Sequence, residues 1–218
     1  MFPSEKPSYI FKYFAVPGIG EATRLLLTAA KVNWVEENPE WPQEKPNQPF
    51  GRLPVLIEKG TGDGPDFVIC ESAAIERYVA RKYGLMPSEP KEASRQEQLR
   101  EQIFDIVNIS YAAAKGAEGF KARFDELLAK LKEVLAMELK NNGSNGHFTG
   151  DKLTYIDIII YSFFKFFIFN LKAYAPEYVD VVVGLATPDV VKLILAVKAD
   201  PCLQSRVAND DQYFPFLA

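Results

Sequence analysis

LPVLIEKGTGDGPDFVICESAAIERYVARKYG, residues 53–84, contains two short β-branched runs and then a helical one. LPVLIEK and DFVIC flank the glycine-rich turn GTGDG, which predicts a β-hairpin. Residues 72–82 place Ile75, Tyr78 and Val79 on one helical face, and Gly84 stops the helix. Working back towards the start, residues 9–14 (YIFKYF) are aromatic and β-branched, as strands prefer. Gly18 and Gly20 break that strand, and residues 21–31 carry Leu25, Leu26, Leu27 and Ala30 on a second helix. A brief strand at Trp34–Glu37 leads into the proline-rich loop NPEWPQEKPNQPFG. The order is β-α-β-β-β-α, which predicts a compact mixed sheet covered by helices.

Beyond the link LMPSEPKEA the pattern is helical throughout. Phe124, Leu127, Leu128, Leu131, Val134, Leu135 and Leu139 recur at three and four, the spacing of an amphipathic helix. After NNGSNG, Thr154 is placed to cap the next helix, with Asp157 three residues on reaching back as in a capping box. That helix is apolar nearly all round and is expected to run through the middle of a helical domain. The expected organisation is therefore an α/β domain over residues 1–84, a linker over 85–92 and an all-α domain over 93–218.

The composition excludes several classes. Of 218 residues 48% are hydrophobic, too many for a disordered chain. A net charge of −4, with no run of Lys or Arg, lacks the footprint of a nucleic-acid binder. The greasiest stretch, Ile156 to Leu171, is interrupted by Asp157, Lys165 and Asn170 and falls short of the roughly 20 residues a membrane span needs. The opening MFPSEKPSYIF lacks an apolar signal-peptide core. Cys70 and Cys202 form no CxxC, and with one histidine they make neither a disulfide framework nor a zinc site. A cytoplasmic protein without a metal, a membrane or a nucleic-acid partner is expected.

Chemistry has few places to sit. His147, in the turn NGSNGHFTG, reads as a loop residue, and no Walker loop or GxGxxG is present. Three features of the first domain go together. Tyr13 ends the first strand before a glycine turn. Pro54 precedes the third strand, where it can present the preceding backbone to a peptide-like ligand. Glu71 and Ser72 stand at a helix N-terminus, whose N–H groups attract a carboxylate. Taken singly, the Tyr reads as core, the Pro as a turn and the Ser as a cap.

Together these residues carry a resemblance over essentially the whole length. YFAVPGIGEATRLLL (13–27), EWPQEKPNQPFGRLPVL (40–56), ESAAIERYVARKYGL (71–85) and LTYIDIII (153–160) resemble, in order and spacing, motifs of the cytosolic glutathione transferases of tyrosine type, sigma-like in pattern. The resemblance implies a thioredoxin-like N-terminal domain that binds glutathione, and an all-helical C-terminal domain. It implies Tyr13 as the catalytic residue and Trp41, Lys45, Leu53 and Pro54 on the peptide, Pro54 as the family's cis-proline. Glu71 and Ser72 would grip the γ-glutamyl end, and Asp105 would reach it from the partner subunit of a homodimer. Val16, Ile19, Tyr111, Phe214 and Phe216 are the candidates for a pocket taking small hydrophobic electrophiles, between the domains, and Phe50 for a contact across the dimer.

The implied mechanism uses glutathione as co-substrate. A thiol of pKa about 8.5 is only about 3% thiolate at pH 7, and lowering it by about two units costs about 2.7 kcal/mol. One or two hydrogen bonds to the charged form supply that. Tyr13, with a phenol pKa near 10, stays protonated and donates one. The family pattern is broken at two positions. Ile19 stands where many sigma-like relatives have an arginine near the sulfur, which implies modest turnover. Glu71 stands where tyrosine-type classes usually have Gln, and can pair with the α-ammonium of glutathione. The resemblance also admits a glutathione-dependent isomerase or peroxidase, or a non-catalytic, crystallin-like protein on the same fold. A thioredoxin-type disulfide exchanger would need a cysteine where Tyr13 stands.

Overall fold

A computed structural model describes residues 8–62, 64–114, 119–174 and 176–217, without the side chains at 111, 113, 114, 174 and 177. The chain divides into two compact units, one up to Leu85 and one from Met86 on.

In the first unit the elements are β1 (Tyr9–Lys12), α1 (Glu21–Ala29), β2 (Trp34–Glu37), β3 (Val55–Glu58), β4 (Phe67–Cys70) and α2 (Ser72–Lys82). The strands form a mixed sheet in the order β2-β1-β3-β4, with β1 and β2 parallel and the other two pairs antiparallel. This is the compact mixed sheet the element order predicts, in the thioredoxin-like arrangement the family resemblance implies. Alternation along β1 buries Tyr9 and Phe11, and β3 buries Val55 and Leu56. Leu25, Leu26 and Leu27 of α1 and Ile75, Val79 and Ala80 of α2 complete that core. At α1 the burial extends to charged residues: Glu21 and Arg24 are each only 3% exposed.

Register settles which residues leave the sheet together at one end. Lys12 pairs with Val55 and with Glu37, and Val55 pairs with Cys70. Tyr13, Pro54 and Glu71 therefore leave three neighbouring strands at the same end of the sheet. The loop that carries Trp41 and Lys45 leaves β2 at that end too.

The second unit is helical: α3 (Pro90–Ala114), α4 (Phe120–Asn141), α5 (Tyr155–Tyr174), α6 (Val179–Val183), α7 (Pro188–Ala199) and α8 (Gln204–Val207). The stretch 85–92, expected as a linker, is already helical from Pro90. Proline at a helix start loses no hydrogen bond, and the Glu89 carboxylate accepts the Glu92 N–H at 2.8 Å. In α4 the stripe is buried from Phe124 to Leu139, with Val134 at its margin. Helix α5 is buried on nearly every side, with Ile156, Ile160, Phe164, Phe167 and Ile168 almost wholly enclosed. Its N-terminus is fixed by Asp157, which accepts the Thr154 N–H and hydroxyl and, from across the loop, the Phe148 N–H. Among the described residues no helix is long and apolar enough to cross a membrane.

Lys165, the buried lysine of α5, is neutralised by an acid that follows α8. Lys165 Nζ lies 2.8 and 2.9 Å from the two Asp210 oxygens, and the Tyr161 hydroxyl donates to Asp210 at 2.8 Å. This pins the segment that follows α8, and the Phe214 ring lies 4.7 Å from that of Tyr161.

Candidate active site

Tyr13 is 6% exposed, and its hydroxyl accepts the Ile19 N–H at 3.1 Å. A turn over residues 14–17 brings the chain back to make that bond, and a single 3-10 turn, Gly18–Gly20, then enters α1. The two glycines make room for the ring. A Cβ at Gly18 would lie 2.4 Å from the Tyr13 hydroxyl, and one at Gly20 would lie 2.4 Å from Tyr13 Cδ1. Gly18 also has φ +46°, which side-chain-bearing residues rarely adopt. The glycines that broke the strand pattern are therefore the seat of Tyr13. Phe14 packs beside the Tyr13 ring at 5.5 Å and carries Trp41 edge-on at 5.6 Å. The predicted Tyr13 and Trp41 thus belong to one aromatic row.

The Leu53–Pro54 peptide is cis, as is Trp41–Pro42. Pro54 is buried and Leu53 half-buried, while Lys45 is exposed on its loop. Ser72, the first residue of α2, is 5% exposed. Glu71, just before it, has φ +68°, a conformation that costs a non-glycine residue of order 1–3 kcal/mol. Its carboxylate accepts from Arg52 at 2.6 Å. Here the structure adds a partner the sequence reading lacked: the acid expected for the ammonium of glutathione is held by Arg52. Both side chains are largely exposed, 70% for Arg52 and 49% for Glu71, so the pair is worth at most about 1 kcal/mol and exchanges readily. Burial and the nearby Glu71 carboxylate push the Cys70 thiol up, against a smaller opposite pull from Arg52, which disfavours its thiolate form.

The other candidates fall differently. Val16 and Ile19 lie on the Tyr13 turn, Val16 exposed and Ile19 half-buried. Phe214 is 1% exposed and spends its ring against Tyr161 and Phe216 inside the helical unit, so it is a core residue rather than a pocket wall. Phe216 is half-buried on Phe164, and Asp105 is exposed on α3. The side chain of Tyr111 lies outside the described ones. Phe50 is 66% exposed.

Two residues of the site had no signal of their own in the sequence. One is Arg52, the partner of Glu71. The other is Arg24, which is buried beneath the Tyr13 ring, its guanidinium 5.4 Å from the ring centre. Burial pulls the Arg24 guanidinium down, but Glu36 and Glu21 outweigh it and hold the group charged.

Comparison with known proteins bears on the family and the fold. Residues 10–81 match the family profile for the glutathione S-transferase N-terminal domain, and residues 97–209 that for the C-terminal domain. Glutathione S-transferase 1 of Ascaris suum is 30% identical over 166 residues, covering 71% of this chain and 77% of the relative. The hematopoietic prostaglandin D synthase of Gallus gallus is 29% identical over 155 residues, covering 69% and 75%. A solved glutathione S-transferase of Caenorhabditis elegans superposes with a TM-score of 0.72 at 25% identity, covering 94% of this chain and 98% of the other. The chain belongs to the glutathione S-transferase family.

Proposed function

We propose that this transferase activates glutathione as a thiolate through the Tyr13 hydroxyl and directs it at small hydrophobic electrophiles. The observation that carries this reading is the seat of Tyr13, an enclosed phenol whose oxygen accepts the Ile19 N–H at 3.1 Å. A hydroxyl that accepts one hydrogen bond is polarised towards donating its own. Aimed at the glutathione sulfur, it stabilises the charged form more than the neutral one, which lowers the thiol pKa. The thiol proton leaves to solvent, and the thiolate sulfur uses its electron pair to form the S–C bond. The electrophile either releases its leaving group with the electrons of the broken bond or takes its π-bond pair onto the activating group, which solvent then protonates.

The peptide is held by the elements that converge at this end of the sheet. The Leu53 backbone, before Pro54, pairs with the cysteinyl residue like an added strand. The Ser72 hydroxyl and the N-terminal N–H groups of α2 take the γ-glutamyl carboxylate. Its α-ammonium displaces Arg52 from Glu71, an exchange of one exposed pair for another, and meets Asp105 of a second copy of this chain. Trp41 and Lys45 close over the glycyl end, with Lys45 opposite its carboxylate. Val16 and Ile19 give the electrophile an apolar approach to the sulfur. The second copy forms a homodimer, a reading supported by exposed apolar side chains at Phe50 and on the edge strand β4 at Phe67 and Val68. The role is detoxifying conjugation in the cytoplasm.

Tyr13→Phe tests the reading. Glutathione affinity by calorimetry should stay within about threefold, whereas kcat should fall by about 10²–10³, as for loss of one preorganised donor to a developing anion. Unchanged turnover would remove Tyr13 from the mechanism.

A further inference from the structure

Arg24 of α1 has a side chain only 4% exposed, and its donors are spread over several acceptors. Nε donates to Glu36 at 2.9 Å. Nη1 donates to the carbonyls of Val16 at 2.8 Å and Pro17 at 3.1 Å, and to Glu21 at 3.0 Å. Nη2 donates to the carbonyl of Phe14 at 2.7 Å and again to Glu36. The carbonyls of Phe14, Val16 and Pro17 belong to the turn that separates Tyr13 from Gly18 and Ile19. Carbonyl dipoles repel when they converge, unless a cation sits at their focus. The turn is therefore built around this guanidinium, and the turn in its path delivers the Ile19 N–H to the Tyr13 oxygen.

We infer that Arg24 is a positioning residue for thiolate formation: through the 14–17 turn it holds the Tyr13 hydroxyl and the Ile19 N–H in one arrangement. The inference rests on the reading of Tyr13 as donor to the glutathione sulfur. The influence is geometric. Glu21 and Glu36 both pair with Arg24, so no net positive field is left to replace the cation that Ile19 lacks. A lysine would keep the charge but not the planar fork, and an ammonium cannot reach three carbonyls and the Glu36 carboxylate at once.

The test compares Arg24→Lys, Tyr13→Phe and the double variant. It measures thermal melting, glutathione affinity, kcat and KM, and the pH titration of the bound thiol's ultraviolet band. Arg24→Lys should fold, bind glutathione within about threefold and lose about tenfold in kcat. The bound thiol pKa should rise by about one unit, the equivalent of that loss. In the Tyr13→Phe background the same change should cost less than about twofold, because residues acting as one unit are not additive. A folded Arg24→Lys with a lower melting temperature and an unmoved thiol pKa would overturn the inference. So would a full tenfold loss added on top of Tyr13→Phe. If Tyr13→Phe itself leaves the thiol pKa unmoved, the Tyr13 reading falls and this one with it. If only Arg24→Lys leaves it unmoved, only the role of Arg24 falls. Should Arg24→Lys not fold, Glu36→Gln on the edge strand β2 loosens the same clamp. A raised thiol pKa there supports the inference, and an unmoved one overturns it.

Discussion

Gly20→Ala isolates the seat of Tyr13 from every other part of the site. The backbone at Gly20 has φ −82° and ψ −13°, where alanine is at ease. At such a position Gly→Ala ordinarily stabilises by about 0.4–1 kcal/mol, by restricting the unfolded chain. Here the new methyl would lie 2.4 Å from Tyr13 Cδ1 and 2.7 Å from Cγ, where real contacts begin near 3.4 Å. The ring must retreat by about 1 Å, and a misplacement of about 1 Å costs about 10² in rate. Overpacking of a filled site costs about 1–3 kcal/mol, which exceeds the gain from alanine. The variant should therefore melt earlier and conjugate a standard electrophile about a hundredfold more slowly. A thermal melt and stopped-flow or steady-state conjugation, with calorimetric glutathione binding alongside, would read both effects. A Gly20→Ala protein that is more stable and fully active would refute the packing described around Tyr13.

Other expectations follow from named contacts. Ser72→Ala should weaken glutathione binding by about 10–100-fold, the worth of a hydrogen bond to a charged group, with circular dichroism unchanged; equal affinity by calorimetry would remove Ser72 from the site. Asp210→Ala takes the carboxylate from Lys165 and Tyr161 inside the helical unit and should cost about 3–5 kcal/mol in denaturant unfolding. A loss under about 1 kcal/mol would contradict the burial of that pair. His147 Nδ1 lies 3.7 Å from Asp157 Oδ2, and attraction to that carboxylate raises the histidine above its ordinary 6.5. Its contribution to stability is then complete below pH 6.5 and lost as pH rises through the raised folded value. His147→Gln should therefore melt below the parent protein in mild acid and converge with it in mild alkali. The reverse trend in melting temperature would reject the pairing.

The legible parts of this protein are those whose causes are local. The aromatic and β-branched run YIFKYF, the GTGDG turn and the 72–82 face lie within a few residues of the elements they specify, and the hairpin and the helix formed where expected. The strand over residues 9–14 stops at Lys12, because beyond it the chain turns to wrap Arg24. Arg24 itself was opaque for the same reason. Its period on α1 is unremarkable, and its burial is decided by carbonyls 7–10 residues away and by Glu36 on the strand β2. Arg52 and Glu71 meet across 19 residues, a pairing no spacing rule announces. Phe214 read as a wall of a pocket because it is aromatic and near the chain's end. Its place in the core depends on Asp210 finding Lys165, 45 residues earlier. Site residues were thus legible where a motif carried them, while the groups that hold those residues were not.

The most direct test of Tyr13 activation is the ultraviolet titration of the protein–glutathione complex from acid to alkali. A thiolate band should appear with a midpoint about two units below the free thiol's 8.5, so that most bound glutathione is ionised at pH 7. A bound thiol titrating at its free value would contradict activation, leaving a protein that holds glutathione without preparing it for attack.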